Sequence, residues 1–422
     1  MSTQRKLHVA VLYGGRSGEH EVSLQSAASV LRNLDPERFV AIPIAIDKDG
    51  RWHPGDVSRI EKGARLLPVF RDQPQVVLPP NPPGGDGTML VPIENPTLLG
   101  MGLPLPQIDV VFPVLHGTFC EDGTLQGLLE LADVPYVGCG VLASAIGMDK
   151  EVAKRLAGLA GIPVVPYLTV HGRTYPAQAS SLPSEVERVL GYPCFVKPSG
   201  SGSSVGVHKV KHPHELDAAI RDALRFDRKV LIEKAIDAHD IEVAVLENLD
   251  PSGGPLCSIV GEINPRHEFY SYEAKYLDEN GAALLVPATL SAEQVSEIQK
   301  WAGLAFSTLE CEGMARVDFF LTDDGPVINE ITRAASSTLT RSTPSPASPR
   351  SACIRSCGRH RALAIRSYSV GSSISRCVAP AKKRNSSTTS SRCSAACRRE
   401  ESSCGTSRWH LRSRGSSRCW FC

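Results

Sequence analysis

Three successive α/β segments are what this sequence predicts, and three observations predict them. Apolar runs long enough for buried strands recur along the chain, and helical periodicity follows them. Glycines stand where early strands end, at Gly14-Gly15 and at Gly117. Proline and glycine punctuate the chain, at 62–106 inside the first segment and at Gly161-Ile162-Pro163, which leads into a new section.

The first strand, Leu7 to Tyr13, runs into Gly14-Gly15 and then an amphipathic segment from Glu21 to Leu34. A second strand covers Phe39 to Ile46. Strands apolar almost throughout, separated by helical patterns, belong to a buried parallel sheet. Residues 62–106, with Pro79-Pro80-Asn81-Pro82-Pro83-Gly84-Gly85, read as an inserted loop or ribbon rather than core. Ile108 to Leu115 restores the sheet and ends at His116-Gly117. Helical periodicity over 141–160 opens the second segment. Its short strands, Pro193 to Lys197, Val205 to Val210 and Val230 to Lys234, surround a glycine-serine loop. The third segment has strands near 241–247, 257–263, 315–321 and 326–331. Its helix, at about 291–311, starts from the cap residue Ser291 with Glu293 in its first turn.

The 422 residues carry a net charge of +1, but that average hides a split. Residues 332–422 hold 18 Lys+Arg against Glu400 and Glu401, leaving 28 basic and 43 acidic residues before them. Eight of the 13 cysteines also fall in the last 91 residues. The other five, Cys120, Cys139, Cys194, Cys257 and Cys311, show no paired spacing, which fits a reduced, cytoplasmic protein better than a disulfide scaffold. No stretch approaches the ~20 apolar residues of a membrane span, and the N-terminus lacks the apolar core of a signal peptide.

The strongest local feature is Lys197-Pro-Ser-Gly-Ser-Gly-Ser-Ser-Val-Gly206, set between two predicted strands. Small residues let backbone N–H groups approach phosphate oxygens, and the lysine adds positive charge. The plain alternative is a flexible surface turn; Lys197 at the end of an apolar strand argues against it. Arg316-Val317-Asp318 and Glu330 lie on two strands joined by Thr322-Asp323-Asp324-Gly325-Pro326. Arg316 and Asp318 share a strand face. A carboxylate on each of two paired strands beside an arginine suits a magnesium–triphosphate site; the alternative is a set of surface ion pairs on an edge hairpin. Glu233 ends one strand and Glu242 lies inside the next. Acids so placed accept from an adenine amino group or a ribose hydroxyl, unless they are merely solvated strand ends. Two further segments end strands at the edge where open α/β sheets bind ligands. They are Gly14-Gly15-Arg16-Ser17-Gly18-Glu19-His20 and His116-Gly117-Thr118-Phe119-Cys120-Glu121.

Taken together and in this order, these segments resemble the D-alanine–D-alanine ligase family of the ATP-grasp superfamily, over residues 6–331. The resemblance implies a three-domain ATP-grasp ligase: α/β overall, α+β in the ATP-grasp part. An N-terminal parallel-sheet domain would cover 1–140, carrying the inserted loop 62–106. A central subdomain would cover 141–228, and an incomplete C-terminal subdomain 229–331. It also implies ATP, two Mg²⁺ (or Mn²⁺) ions, two D-alanine molecules and a homodimer. On that likeness Glu19 holds the first D-alanine's ammonium, with His116 close by. Lys150, Lys197 and the Ser203-Ser204 loop contact ATP, and Ser203 joins Glu19 and Tyr276 in shaping the D-alanine pocket. Lys275 and Tyr276 belong to a loop closing over ATP, and the Lys-Tyr pattern favours an amine acceptor over D-lactate. Glu233 and the backbone of Lys234, Ala235 and Ile236 take adenine, and Glu242 the ribose. Arg316 stabilises the transferring phosphate, and Asp318 and Glu330 bind metal.

Two departures stand out. Cys120 replaces a glycine in the His-Gly motif. After Ile331 the family continues with Asn-Thr, whose asparagine is a metal ligand, then a Pro-Gly oxyanion segment and a serine-containing stretch for the second D-alanine. Here Thr332-Arg333-Ala334 opens a stretch, 332–422, that holds 23 serines and 16 arginines. A one-base loss would give this, against the alternative of a genuine basic tail: Asn-Thr codons AAC ACG, read after losing one base, would become ACA CG, which encode Thr-Arg. A frameshifted tail that stays disordered, and a chain of low activity, are the expectations. The alternatives are another ATP-grasp or D-alanine–D-lactate ligase, and a nucleotide-binding protein with a basic nucleic-acid arm.

Overall fold

The computed structural model describes residues 5–60, 64–80, 90–92, 107–202, 204–248, 250, 252–265 and 282–332. The predicted tail beyond Thr332, and Ser203, Lys275 and Tyr276, lie outside them.

In the first segment β1 (Leu7–Gly14), α1 (His20–Asn33), β2 (Phe39–Ile46) and β3 (Trp52–Pro54) precede β4 (Val76–Val77), β5 (Val91–Pro92) and β6 (Val110–Leu115). The sheet order is β5-β4-β3-β2-β1-β6, with β2, β1 and β6 parallel and β3 to β5 added antiparallel. Successive residues of β1 enter opposite cores: Ala10 and Leu12 face one, Val9, Val11 and Tyr13 the other. That double burial is why the strand reads as uninterrupted apolar residues. The stretch expected as a loop outside the core instead buries Leu67, Phe70, Val76, Leu78 and Leu90. These residues come in short apolar pairs and runs broken by prolines and polar residues, so they show no sustained periodicity by which to find them.

Helices α2 (Thr124–Leu131), α3 (Val141–Met148) and α4 (Lys150–Leu159) follow. The single helical pattern over 141–160 is broken at Asp149, whose extended backbone caps α4 and whose Oδ1 accepts from Val152 N–H at 3.2 Å. The second sheet has the order β7-β10-β8-β9, from β7 (Tyr167–His171), β8 (Cys194–Pro198), β9 (His208–Val210) and β10 (Lys229–Lys234). Its Val196, Val230 and Ile232 pack under α6 (Leu182–Val189) and α7 (Leu216–Ala223), which follow the short α5 (Tyr175–Gln178). Lys197 and Glu233 therefore point to the opposite face.

The third sheet runs β14-β13-β11-β15-β16, with β12 beside β11. It comprises β11 (His239–Leu246), β12 (Leu256–Cys257), β13 (Gly261–Pro265), β14 (Ala282–Leu285), β15 (Met314–Thr322) and β16 (Gly325–Thr332). The strand expected at 257–263 is thus two short strands. One face packs Val243, Val317, Phe319 and Ile331 against α8 (Ala292–Thr308), whose Ser291 and Gln294 form a capping box. Ala153 and Ala157 of α4 enter the same core. β16 continues through Thr332, paired with Arg316, one residue past the last residue of the resemblance read from the sequence motifs.

Candidate active site

Strand register builds the centre of the site. Glu242 on β11 lies opposite Asp318 on β15, and Asp318 lies opposite Glu330 on β16. Three carboxylates thus share one row on the face away from α8. Arg316, two residues before Asp318, shares that face. Its Nε and Nη2 donate to Asp318 Oδ1 and Oδ2, both at 2.6 Å, and its Nε lies 3.3 Å from Glu242 Oε1. Burial pushes the Asp318 carboxyl up to about 6, with Arg316 pulling the other way. A bulge sits beside the row, where Asp318 and Phe319 face Glu330 and Ile328, leaving Asn329 as the extra residue. Lys197 reaches across from the second sheet to Asn329 Oδ1 at 3.4 Å.

The lysines come from elsewhere. Lys150, at the start of α4, lies 3.5 Å from Glu330 Oε2 and donates to Ser201 O at 2.7 Å. Its position is held by a local network. The Asp149 carboxylate takes Ser199 Oγ at 2.7 Å and Lys229 Nζ at 2.6 Å, while Lys229 also meets Glu151 at 2.9 Å. The base of the glycine-serine loop is tied to the same place, by Lys150 N–H to Ser199 O at 3.0 Å and by Gly200 N–H to Asp227 at 2.6 Å.

Glu233 forms a second, drier cluster. Its Oε2 takes Lys197 Nζ at 2.7 Å, and Lys154 Nζ lies 3.2 Å from its Oε1, off the hydrogen-bond direction. Burial alone would raise the Glu233 carboxyl; the two lysines outweigh it and hold it below the usual carboxylate range. Of the three backbone amides named beside it, those of Lys234 and Ala235 are already committed to Pro166 O (3.0 Å) and Pro193 O (3.4 Å). Among the described residues, Ile236 N–H has no such bond.

At the N-terminal edge, a Cβ on Gly117 would stand 2.6 Å from Glu19 Oε2, and one on Gly202 would stand 3.2 Å from it. The Glu19 carboxylate therefore sits against both glycines, one from the His-Gly motif and one from the glycine-serine loop. Gly117 also has a φ of +75°, so its lack of a side chain serves conformation and space together. The His116 ring is buried and hydrogen-bonds Ser26 Oγ at 2.9 Å, and the Ser17 hydroxyl donates to its carbonyl at 2.5 Å.

Two family models cover most of this architecture: "D-ala D-ala ligase N-terminus" over residues 8–139 and "D-ala D-ala ligase C-terminus" over 156–344. The chain belongs to the D-alanine–D-alanine ligase family. "D-alanine--D-alanine ligase A" of Bradyrhizobium diazoefficiens is 54% identical over 320 residues, covering 75% of this chain and 83% of that protein. "D-alanine--D-alanine ligase" of Legionella pneumophila is 45% identical over 321 residues, covering 76% and 83%. Among solved structures, the "VanG D-Ala:D-Ser Ligase from Enterococcus faecalis" aligns with a TM-score of 0.66 at 33% identity, covering 89% of this chain and 98% of its own. The "D-alanine-D-alanine ligase from Coxiella burnetii" aligns at 0.64 and 29%, covering 86% and 99%.

Within this ligase-family fold the structure brings Lys150, Lys197, Glu233, Glu242, Arg316, Asp318 and Glu330 together around the facing sides of two sheets. Glu19 and His116 lie at the N-terminal edge beside Gly202. Ser204 is a left-handed residue of the loop, with φ +61°. Sequence reasoning missed Lys154, Lys229, Asn329 and Ser26. Lys154 carried one usable signal, its position four residues after Lys150 on a helical pattern.

Proposed function

We propose that the chain is an ATP- and Mg²⁺-dependent ligase that joins two D-alanine molecules into D-alanyl-D-alanine for peptidoglycan synthesis, as a cytoplasmic homodimer. The row Glu242–Asp318–Glu330 beside Arg316, with Lys150 and Lys197 reaching in from other elements, carries this reading. Among the described residues no three His, Cys, Asp or Glu side chains are arranged to hold a metal by themselves. Mg²⁺ needs only one or two carboxylates, with water and phosphate completing its shell, so the facing pair Asp318 and Glu330 fits it. Mn²⁺ fits the same oxygen donors. Two bound ions would neutralise charge on the transferring phosphoryl group.

A carboxylate is a poor acyl donor because its oxide leaves badly. Phosphorylating the first D-alanine by ATP gives D-alanyl phosphate. The amine of the second then attacks the carbonyl carbon, and phosphate leaves. Arg316, fixed by Asp318 and Glu242, would place its guanidinium against the phosphoryl oxygens. Lys150 and Lys197 would bind the polyphosphate, with the backbone around Ser203 and Ser204. Glu233 and Ile236 N–H would take the adenine edge, with Lys234 and Ala235 walling it, and Glu242 the ribose. Glu19 would hold the first ammonium, and His116, held by Ser26, would shape that wall. The roles of Ser203, Lys275 and Tyr276 rest on the family resemblance. Acceptor choice between D-alanine and a D-hydroxy acid rests on Tyr276.

Calorimetry with MgATP on the full chain, together with ADP release dependent on D-alanine, tests the reading. MgATP should bind, while ADP release stays slow, because Thr332 stands where the family has a metal-binding asparagine. Restoring the alternative reading frame after codon 331 should return Asn-Thr and raise turnover. If neither chain binds MgATP, the proposal is wrong.

A further inference from the structure

Lys154 has no part in the reaction just described, yet among the described residues it is one of the least exposed charged groups, at 2%. It lies one turn beyond Lys150 on α4, on the same helix face. While Ala153 and Ala157 of that helix pack into the third sheet's core, Lys154 points to β10 of the second sheet and stops 3.2 Å from Glu233 Oε1. Neither Lys154 Nζ nor Glu233 Oε1 has a hydrogen-bond partner among the described residues. Glu233 does not need this second cation for charge balance, since Lys197 already donates to Oε2 at 2.7 Å. A dry ammonium is costly, and an aliphatic side chain of the same length would fill the space without that cost. Burial lowers the Lys154 pKa to about 8 even with Glu233 opposing the shift, so the charge is a net burden on the fold. A burden retained next to a ligand-facing carboxylate calls for a role in binding.

Geometry supplies one. Lys197 holds one oxygen of Glu233 and Lys154 faces the other, which sets the plane of the carboxylate from both ends. Oε1 is buried and meets only the Lys154 ammonium among the described residues, three residues before the uncommitted Ile236 N–H. An anionic acceptor with a neighbouring amide donor matches the 6-amino group and N1 of adenine. A 6-oxo purine presents a carbonyl and an N1–H, and mismatches both.

We propose that Lys154 is a positioning residue for nucleotide selection: its buried ammonium fixes the Glu233 carboxylate as an oriented acceptor that separates 6-amino from 6-oxo purines. This rests on the assignment of Glu233 and Ile236 to the purine edge.

Calorimetric titration of the full chain with MgATP and with magnesium inosine triphosphate, which carries the 6-oxo group, provides the test and requires no turnover. The wild-type chain should prefer ATP by roughly 100-fold, the discrimination expected where buried polar groups meet the wrong partner. Lys154→Met should cut that ratio to about 10-fold or less, because Glu233 can then swing onto Lys197 alone. Lys154→Gln, polar and of similar length, is read the same way should the methionine variant not fold. A ratio unchanged in a folded variant, or both affinities falling in parallel, overturns the role of Lys154 and leaves the purine site standing. A wild-type ratio near one overturns the purine-edge assignment and this inference with it.

Discussion

The two charged clusters of the site are built to opposite rules. Around Glu233 one carboxylate meets two lysines, and the surplus is positive. Along the third sheet three carboxylates in register share Arg316, with Lys150 against Glu330, and the surplus is negative. Both sit on the sheet faces turned away from α6, α7 and α8, with α4 supplying a lysine to each, a few residues apart across the Lys197–Asn329 contact. A cation-rich cluster beside an anion-rich one suits a ligand that brings its own negative phosphates and positive metal. Among the described residues, each cluster carries a surplus opposite in sign to one part of the proposed ligand. The asymmetry also says which single cation the fold can lose.

Arg316 is the one it cannot lose. Arg316→Met would leave Asp318 and Glu242 facing each other, buried, without the guanidinium that now bridges them. Breaking a buried ion pair from one side costs roughly 3–5 kcal/mol, the largest effect expected here. The loss should be greatest near pH 8 and shrink toward pH 5. With Asp318 already pushed up to about 6, acid would neutralise it and remove part of the uncompensated charge. Urea melts at the two pH values would show this; a variant as stable as wild type at pH 8 would mean the row is solvated.

Lys154 should behave in the opposite way. Its folded pKa of about 8 lies below the ordinary 10.5, so the unfolded chain binds the proton more tightly. Between those values the unfolded state carries more protons, and this group's share of stability rises with pH. Lys154→Met leaves Glu233 paired with Lys197, so it should be neutral or stabilising by about 1–3 kcal/mol at pH 7. That advantage over wild type should shrink as pH climbs from 8 toward 10. A large loss of stability at pH 7 would show that the second lysine balances charge, and would erase the contrast with Arg316.

How far the sequence reached follows the same division. Strands buried on both faces over most of their length, such as Leu7–Gly14 with its run Val9 to Tyr13 and the second half of Phe39–Ile46, were legible because those runs are apolar without a break. Arg316, Asp318, Glu330 and Lys197 were legible because each sits at a strand position whose face could be counted. The register that sets Glu242 opposite Asp318 was not, since no local pattern says which strands pair or where a bulge falls. Lys154 was hidden for another reason: a lysine on an amphipathic helix reads as solvated, and only tertiary packing reveals that it is buried. The split at Asp149 could have been found from its cap chemistry. Leu67 and Phe70, in the short run Leu66-Leu67-Pro68-Val69-Phe70, offered no period long enough to detect.

The smallest effect should come at the join between the clusters. Asn329 is the bulge residue, and its only described link to the other sheet is the 3.4 Å contact with Lys197, at the long end for a hydrogen bond. Removing it with Asn329→Ala should cost about 0.5–1 kcal/mol. The informative number is the coupling. If the clusters are energetically separate, Asn329→Ala and Lys154→Met should add within ~0.3–0.5 kcal/mol in urea melts. A coupling energy well beyond that would mean Lys197 shifts toward Glu233 once Asn329 lets go, making the two clusters one network. The cationic surplus at Glu233 would then be set from the third sheet, through the residue that the bulge pushes out of the ladder.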